Sequence, residues 1–126
     1  MNAPARLRIL LVDDNEDAAE TMAMLLDAQG HDVKFAFDGA TALRLAAEHK
    51  PQVVLLDITL PDMDGYEVAR RLRATPDGRM AVIMAVTGYG SNDDVRRSVE
   101  AGIDRHLTKP IDPMTLDKLI RESLTK

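Results

Sequence analysis

The sequence predicts a doubly wound α/β domain on a five-stranded parallel sheet, and three observations predict it. Apolar runs of strand length alternate with segments of helical periodicity from end to end of the chain. The central run, Val53-Val54-Leu55-Leu56, shows no polar alternation and lies between Pro51 and Pro61, the pattern of a strand covered on both faces. That run also ends on a carboxylate, Asp57, at the place where open parallel sheets put their chemistry: the crevice beyond the carboxyl ends of the strands. With 126 residues and no apolar run near the roughly 20 residues of a membrane span, the chain fits a single domain over 1–126 with a core from about 7 to 125.

The first strand is expected over Leu7–Val12, running straight into Asp13-Asp14-Asn15. A helix follows, with Ala18, Met22, Leu25, Leu26 and Gln29 at helical spacing, Glu16 and Asp17 in its first turn and Gly30 as its stop. Val33–Phe37 makes the second strand. Asp38 then caps a helix carrying Ala42, Leu43, Ala46 and Ala47 up to the break at Pro51. After the central strand a turn-rich loop runs to Gly65, where Asp64 and Glu67 have capping-box spacing for a third helix. Arg73–Arg79 reads as a loop, and Met80–Val86 as the fourth strand, ending on Thr87-Gly88. Ser91 and Asp94 open a fourth helix whose apolar anchors are Val95 and Val99. Asp104–Thr108 is the least apolar strand and is placed at an edge. Asp112 caps the last helix, with Pro113 at its first position and Leu116, Leu119 and Ile120 as its inner stripe.

A net charge of −5 argues against direct contact with nucleic acid, and the aromatic residues Phe35, Phe37, Tyr66 and Tyr89 are too few for a base-stacking platform. The absence of cysteine excludes disulfides and thiolate metal sites. Met1–Arg6 precedes no long apolar segment, so no signal peptide is expected and the cytoplasm is the default location.

Once the strands are drawn, Asp13, Asp14, Asp57, Thr87 and Lys109 each follow a strand end and gather on one rim. Three carboxylates so placed repel one another unless a cation sits among them, and an oxygen-only set with room for water suits Mg²⁺. Lys109 supplies a fixed counter-charge and Thr87 a hydroxyl donor. Together they make a receptor for a tetrahedral phosphoryl group, with Asp57 as nucleophile.

These residues, with Pro61-Asp62-Met63-Asp64-Gly65 and Lys109-Pro110, resemble the full signature of the receiver domain of two-component response regulators, over essentially the whole chain from Leu7 onward. The resemblance implies a flavodoxin-like (βα)5 fold with strand order 2-1-3-4-5. It implies that Asp57 accepts a phosphoryl group from a phosphohistidine on a sensor histidine kinase or a histidine phosphotransfer protein. It also implies Mg²⁺, with Mn²⁺ as a possible substitute, held by Asp14, Asp57 and the backbone carbonyl of Thr59, with Asp13 acting through water. Thr87 and Lys109 would hold the phosphoryl oxygens, with Lys109-Pro110 in the cis form, and a downstream protein would dock on the face of the fourth helix, fifth strand and fifth helix.

The family's switch pairs the threonine with an aromatic residue three positions before the lysine. Here that residue is His106, a departure that implies a less complete or pH-sensitive switch. His31 and His49 are expected at the surface, Tyr66 and Tyr89 as half-buried packing or partner-facing residues, and Met63, Met80 and Met84 as filling.

Rival functions fit less well. A haloacid-dehalogenase-like aspartate phosphatase wants an acid two residues after its nucleophile, where this chain has Thr59. A flavin binder needs a Ser/Thr/Gly phosphate loop where this chain has Asp13-Asp14, and a partner-binding domain without phosphoacceptor chemistry would have no use for all five residues. The chain is expected to be either a stand-alone regulator or the receiver of a larger hybrid kinase.

Overall fold

The computed structural model describes residues 6–58, 60–87, 95–109 and 111–124. Its sheet is five-stranded, all parallel, in the order β2-β1-β3-β4-β5, as the sequence predicts. The strands are β1 (Arg8–Val12), β2 (Asp32–Ala36), β3 (Val53–Asp57), β4 (Val82–Thr87) and β5 (Arg105–Thr108). The helices between them are α1 (Glu16–Ala28), α2 (Gly39–His49), α3 (Gly65–Arg73), α4 (Val95–Ala101) and α5 (Pro113–Leu124). The segment expected as a loop after α3 contains one helical turn, Pro76–Arg79, because Thr75 Oγ1 accepts from the Gly78 N–H (2.9 Å) and Pro76 sits at the first helical position. Among the described residues no helix is long and apolar enough to cross a membrane.

Both faces of the sheet are covered. Leu10, Val12, Val54, Leu56, Ile83 and Ala85 point toward α2 and α3, while Ile9, Leu11, Val53, Leu55 and Met84 point toward α1 and α5. All five residues of β3 are therefore buried, which accounts for the unbroken apolar run in its sequence. β5 lies at the edge, as expected, and is mostly exposed.

The α1 stripe differs from the expected one by a fraction of a turn. Ala19, Ala23 and Leu26 are buried, whereas Ala18 and Leu25 face outward. Asp38 caps α2 by accepting from the Thr41 N–H (2.7 Å). Only half of the expected capping box forms at α3: Asp64 accepts from the Glu67 N–H (2.8 Å), but the Glu67 carboxylate is taken by Arg70 (2.6 Å) and Arg71 (2.8 Å) one turn on. In α4 the buried positions are Ser98 and Ala101; Val99, expected as an anchor, is 70% exposed. The side chain of Val95 and the Ser91 and Asp94 positions lie outside what the structure describes. In α5, Leu116 and Ile120 are fully buried and Leu119 is half-buried.

His31 is a second correction. It is fully buried rather than at the surface, because Asp117, 86 residues away, comes within 2.6 Å of its Nε2. The Leu7 N–H donates to His31 Nδ1 (3.3 Å), so the ring proton sits on Nε2 and is donated to Asp117. Arg121 Nε donates to the other Asp117 oxygen (3.0 Å). Partial burial works against the Asp117 charge, but the bonds from His31 and Arg121 outweigh it and hold this carboxyl below its ordinary 3.8. Asp117 therefore adds stability that is present above the unfolded value and lost as pH falls through the lower folded value. Asp117→Asn is expected to cost about 2 kcal/mol at neutral pH, by leaving a buried imidazole N–H poorly matched, and to flatten the acid limb of the stability curve below about pH 4. Urea denaturation across that range measures both. Met80 is 83% exposed and fills nothing, whereas Met84 is core and Tyr66 is more buried than expected.

Candidate functional site

Parallel strands deliver their carboxyl ends to one rim, and register sets what meets there. Val12 lies opposite both Ala36 and Leu56, and Asp57 lies opposite Val86, so Asp13 and Asp57 leave neighbouring strands at nearly the same height. The Asp13 N–H donates to the Ala36 carbonyl (3.0 Å), and its carboxylate accepts from the Asn15 N–H (2.9 Å), while Asn15 caps α1. The first Asp of the pair is thereby turned inward and buried, and Asp14 is left exposed at the opening.

Asp13, Asp14 and Asp57 each offer a carboxylate oxygen within 4.8 Å of the others. Lys109 Nζ stands 3.0 Å from Asp13 Oδ2 and 3.1 Å from Asp57 Oδ2. Partial burial opposes the Lys109 charge, but hydrogen bonds and attraction from the two carboxylates prevail and raise its pKa above 10.5. Its contribution to stability is therefore complete below the unfolded lysine value and lost only as pH rises through the higher folded one. One ammonium against three carboxylates leaves a formal deficit of two charges. The chemistry of the set fits a divalent cation: hard oxygen donors, two buried and one open to water.

Thr87 is buried at the end of β4, and its hydroxyl donates to the Leu107 carbonyl (3.4 Å). The Lys109 N–H donates to the Thr87 carbonyl (2.8 Å), which ties the lysine's backbone to the same strand end. His106 is exposed on β5, with Nε2 2.6 Å from the hydroxyl of Ser98, a residue only 1% exposed. The expected switch residue is thus joined to α4 through a serine that sequence reasoning passed over. The structure therefore brings together Asp13, Asp14, Asp57 and Lys109, sets Thr87 on the same rim, and holds His106 outward. The backbone of Thr59, the Lys109-Pro110 bond and Tyr89 lie outside the described residues.

The loop after Asp57 folds back tightly. The Gly65 N–H donates to the Ile58 carbonyl (2.8 Å), and a Cβ at Gly65 would lie 2.7 Å from Ile58 Cα and 2.8 Å from the Asp57 carbonyl oxygen. Only glycine permits that approach. At the next position Tyr66 is buried, with the Arg97 guanidinium 4.3 Å over its ring. Arg97 also pairs with Asp64 (2.7 Å), so α4 is linked to the base of this loop.

Comparison with known proteins agrees with this arrangement. The response regulator receiver domain family matches residues 9–121. A curated protein of Leptolyngbya boryana, described as an uncharacterized 14.6 kDa protein in the sodA1 3′ region, is 32% identical over 122 residues, 97% of this chain and 93% of that one. The response regulator PleD of Caulobacter vibrioides is 39% identical over 119 residues, 94% of this chain but 26% of PleD, so the likeness extends to about a quarter of that protein. The solved receiver domain of the sensor histidine kinase PA1611 of Pseudomonas aeruginosa, with magnesium in its active-site cleft, aligns at a TM-score of 0.83 and 31% identity over 94% of this chain and 97% of that one. The chain belongs to the receiver-domain family of two-component response regulators.

Proposed function

We propose that this protein is a phosphorylation-dependent switch in which Asp57 is the phosphoacceptor. The observation that supports this most is the placement of Lys109 Nζ 3.1 Å from Asp57, with Asp13 and Asp14 completing a carboxylate cluster. An Asp57 carboxylate oxygen attacks phosphorus, the P–N bond to the donor imidazole breaks, and the imidazole leaves with its electron pair, so an acyl phosphate replaces a phosphoramidate. A divalent cation, Mg²⁺ or in its place Mn²⁺, held by Asp14, Asp57 and the Thr59 carbonyl with Asp13 through water, would neutralise the carboxylates and the phosphoryl oxygens. Lys109 carries the fixed positive charge toward the transferred group, and Thr87 exchanges its long bond to Leu107 for one to a phosphoryl oxygen.

The donor is a phosphohistidine of a sensor histidine kinase or a phosphotransfer protein. Ala18, Met22, Leu25, Ile111 and Pro113 line a shallow groove beside α1, and a donor interface of about 800 Å² per side around Asp57 extends over such ground. The downstream partner is a protein on the α4, β5 and α5 face; β5 is mostly exposed, and α4 and α5 carry the exposed Val99 and Met114. The His106-to-Ser98 bond is the contact to be remade when α4 and β5 repack. His106→Tyr, which removes the bond to Ser98, is expected to change partner affinity on phosphorylation severalfold; unchanged affinity would count against a switch through this residue. Incubation with acetyl phosphate and Mg²⁺ tests the whole proposal. Incorporation of about one phosphoryl group per chain supports it, and sustained turnover of many small phosphomonoesters supports an aspartate phosphatase instead.

A further inference from the structure

Asp62 is exposed, yet both of its carboxylate oxygens are engaged. Oδ1 accepts from the Gly39 N–H (2.8 Å) and Oδ2 from the Ala40 N–H (3.0 Å), the first two amides of α2. Those amides have no partner within their own helix, and the helix dipole adds to their pull on an anion. The Gly39 amide, then the Ala40 amide, lower the Asp62 pKa below 3.8. The contact is not the cap of α2, since Asp38 already fills that role through the Thr41 N–H. It joins α2 to a residue 23 positions further on, in the middle of the loop that follows Asp57.

That loop is pinned at its base by the Ile58 to Val86 (3.2 Å) and Gly65 to Ile58 (2.8 Å) hydrogen bonds. Away from the base, Leu60 and Met63 pack against the core, Met63 on Gly39 where an added Cβ would lie 2.6 Å from its Cγ, and Asp62 ties the loop to α2 through its two hydrogen bonds. Resting on the function proposed above, we infer that Asp62 is a positioning residue for the cation site: by clamping the loop that follows Asp57 to the start of α2, it fixes the path of that loop beside the Asp13, Asp14 and Asp57 carboxylates. It touches neither the cation nor the phosphoryl group.

Asp62→Ala and Asp38→Ala separate this role from helix capping, because both remove acceptors from the α2 terminus and only the first releases the loop. Magnesium affinity is read by calorimetry on the unphosphorylated full chain, with the melting temperature and the exchange rates of the Gly39 and Ala40 amides alongside. Asp62→Ala is expected to weaken magnesium binding about tenfold, at the low end for loss of an outer support of a metal site, and to speed exchange of both amides. Asp62→Asn keeps one acceptor oxygen and is expected to fall between. Asp38→Ala is expected to lower the melting temperature with magnesium affinity unchanged. Magnesium binding by Asp62→Ala equal to the wild type, or weakened equally in Asp38→Ala, overturns the positioning role while leaving the phosphoacceptor proposal intact. A wild type that binds no magnesium overturns both.

Discussion

Lys109→Ala is expected to bind magnesium about tenfold more tightly than the wild type while accepting a phosphoryl group about 100-fold more slowly. The first effect is electrostatic. The ammonium lies 3.0 and 3.1 Å from two of the three clustered carboxylates, so it competes for the place of a divalent cation. Even at the dielectric constant of water, a divalent ion about 5 Å from a unit positive charge is repelled by roughly 1.5 kcal/mol. The second effect comes from the charge that develops on the transferred group. A fixed cation aimed at it in a partly buried site contributes about as much as an oxyanion-hole donor, whose loss costs on the order of 100-fold. Opposite signs for binding and transfer distinguish a lysine that serves the phosphoryl group from one that merely neutralises acids. If magnesium affinity falls, or labelling from acetyl phosphate at saturating magnesium keeps its rate, the role assigned to Lys109 is wrong.

Arg73→Ala is expected to cost about 3 kcal/mol of stability, the largest loss from any single charged side chain described here. Its guanidinium donates through Nη1 to the carbonyls of Gly78 (2.9 Å), Arg79 (3.1 Å) and Ala81 (2.6 Å), and through Nε (2.9 Å) and Nη2 (2.7 Å) to that of Gly102. Nη2 also donates to Asp104 (2.7 Å), whose same oxygen accepts from the Ile83 N–H (2.8 Å). One side chain thus ties together the end of α3, the helical turn after it, the start of β4 and the end of α4. Gly102 makes room for it: its φ is +85°, and a Cβ there would lie 2.8 Å from Arg73 Cγ. Truncation leaves several carbonyls facing one another with water as their only replacement donor. The surface pair Arg44 with Glu48 (3.7 Å), exposed on both sides, is worth well under 1 kcal/mol by comparison. Because the planar fork matters as much as the charge, Arg73→Lys should recover less than half of the loss. A drop in melting temperature of roughly 10 °C by calorimetry is expected for the alanine variant. A loss below about 1 kcal/mol would mean that the carbonyls find other partners.

The fold was legible wherever burial is complete. β3 shows as an unbroken apolar run because both of its faces are covered, and that run, with Asp57 at its end, locates the candidate site. α1 was misphased because its inward residues, Ala19 and Ala23, are small, while Leu25 and Met24 face outward and carry a stronger apolar signal. Val99 misled for the same reason: in α4 the inward positions fall to the small residues Ser98 and Ala101. Contacts between residues far apart left no local trace. Nothing around His31 announces Asp117, nothing around Asp62 announces the start of α2, and Arg73 reads as one more basic residue at a helix end. The half-formed capping box failed through competition, since Arg70 and Arg71 lie one turn from Glu67 and bind its carboxylate. The site itself was more legible than the packing, because parallel topology sends every strand's carboxyl end to one rim wherever its residues stand in sequence.

Chemical mapping of the labelled residue bears most directly on the claim that Asp57 accepts the phosphoryl group. After reaction with acetyl phosphate and magnesium, reduction with borohydride converts an aspartyl phosphate to homoserine, which peptide mass spectrometry can place. Homoserine at position 57, dependent on magnesium and absent from Asp57→Ala, is the predicted result. Homoserine at Asp13 or Asp14 instead, or none at any position despite bound magnesium, would contradict it.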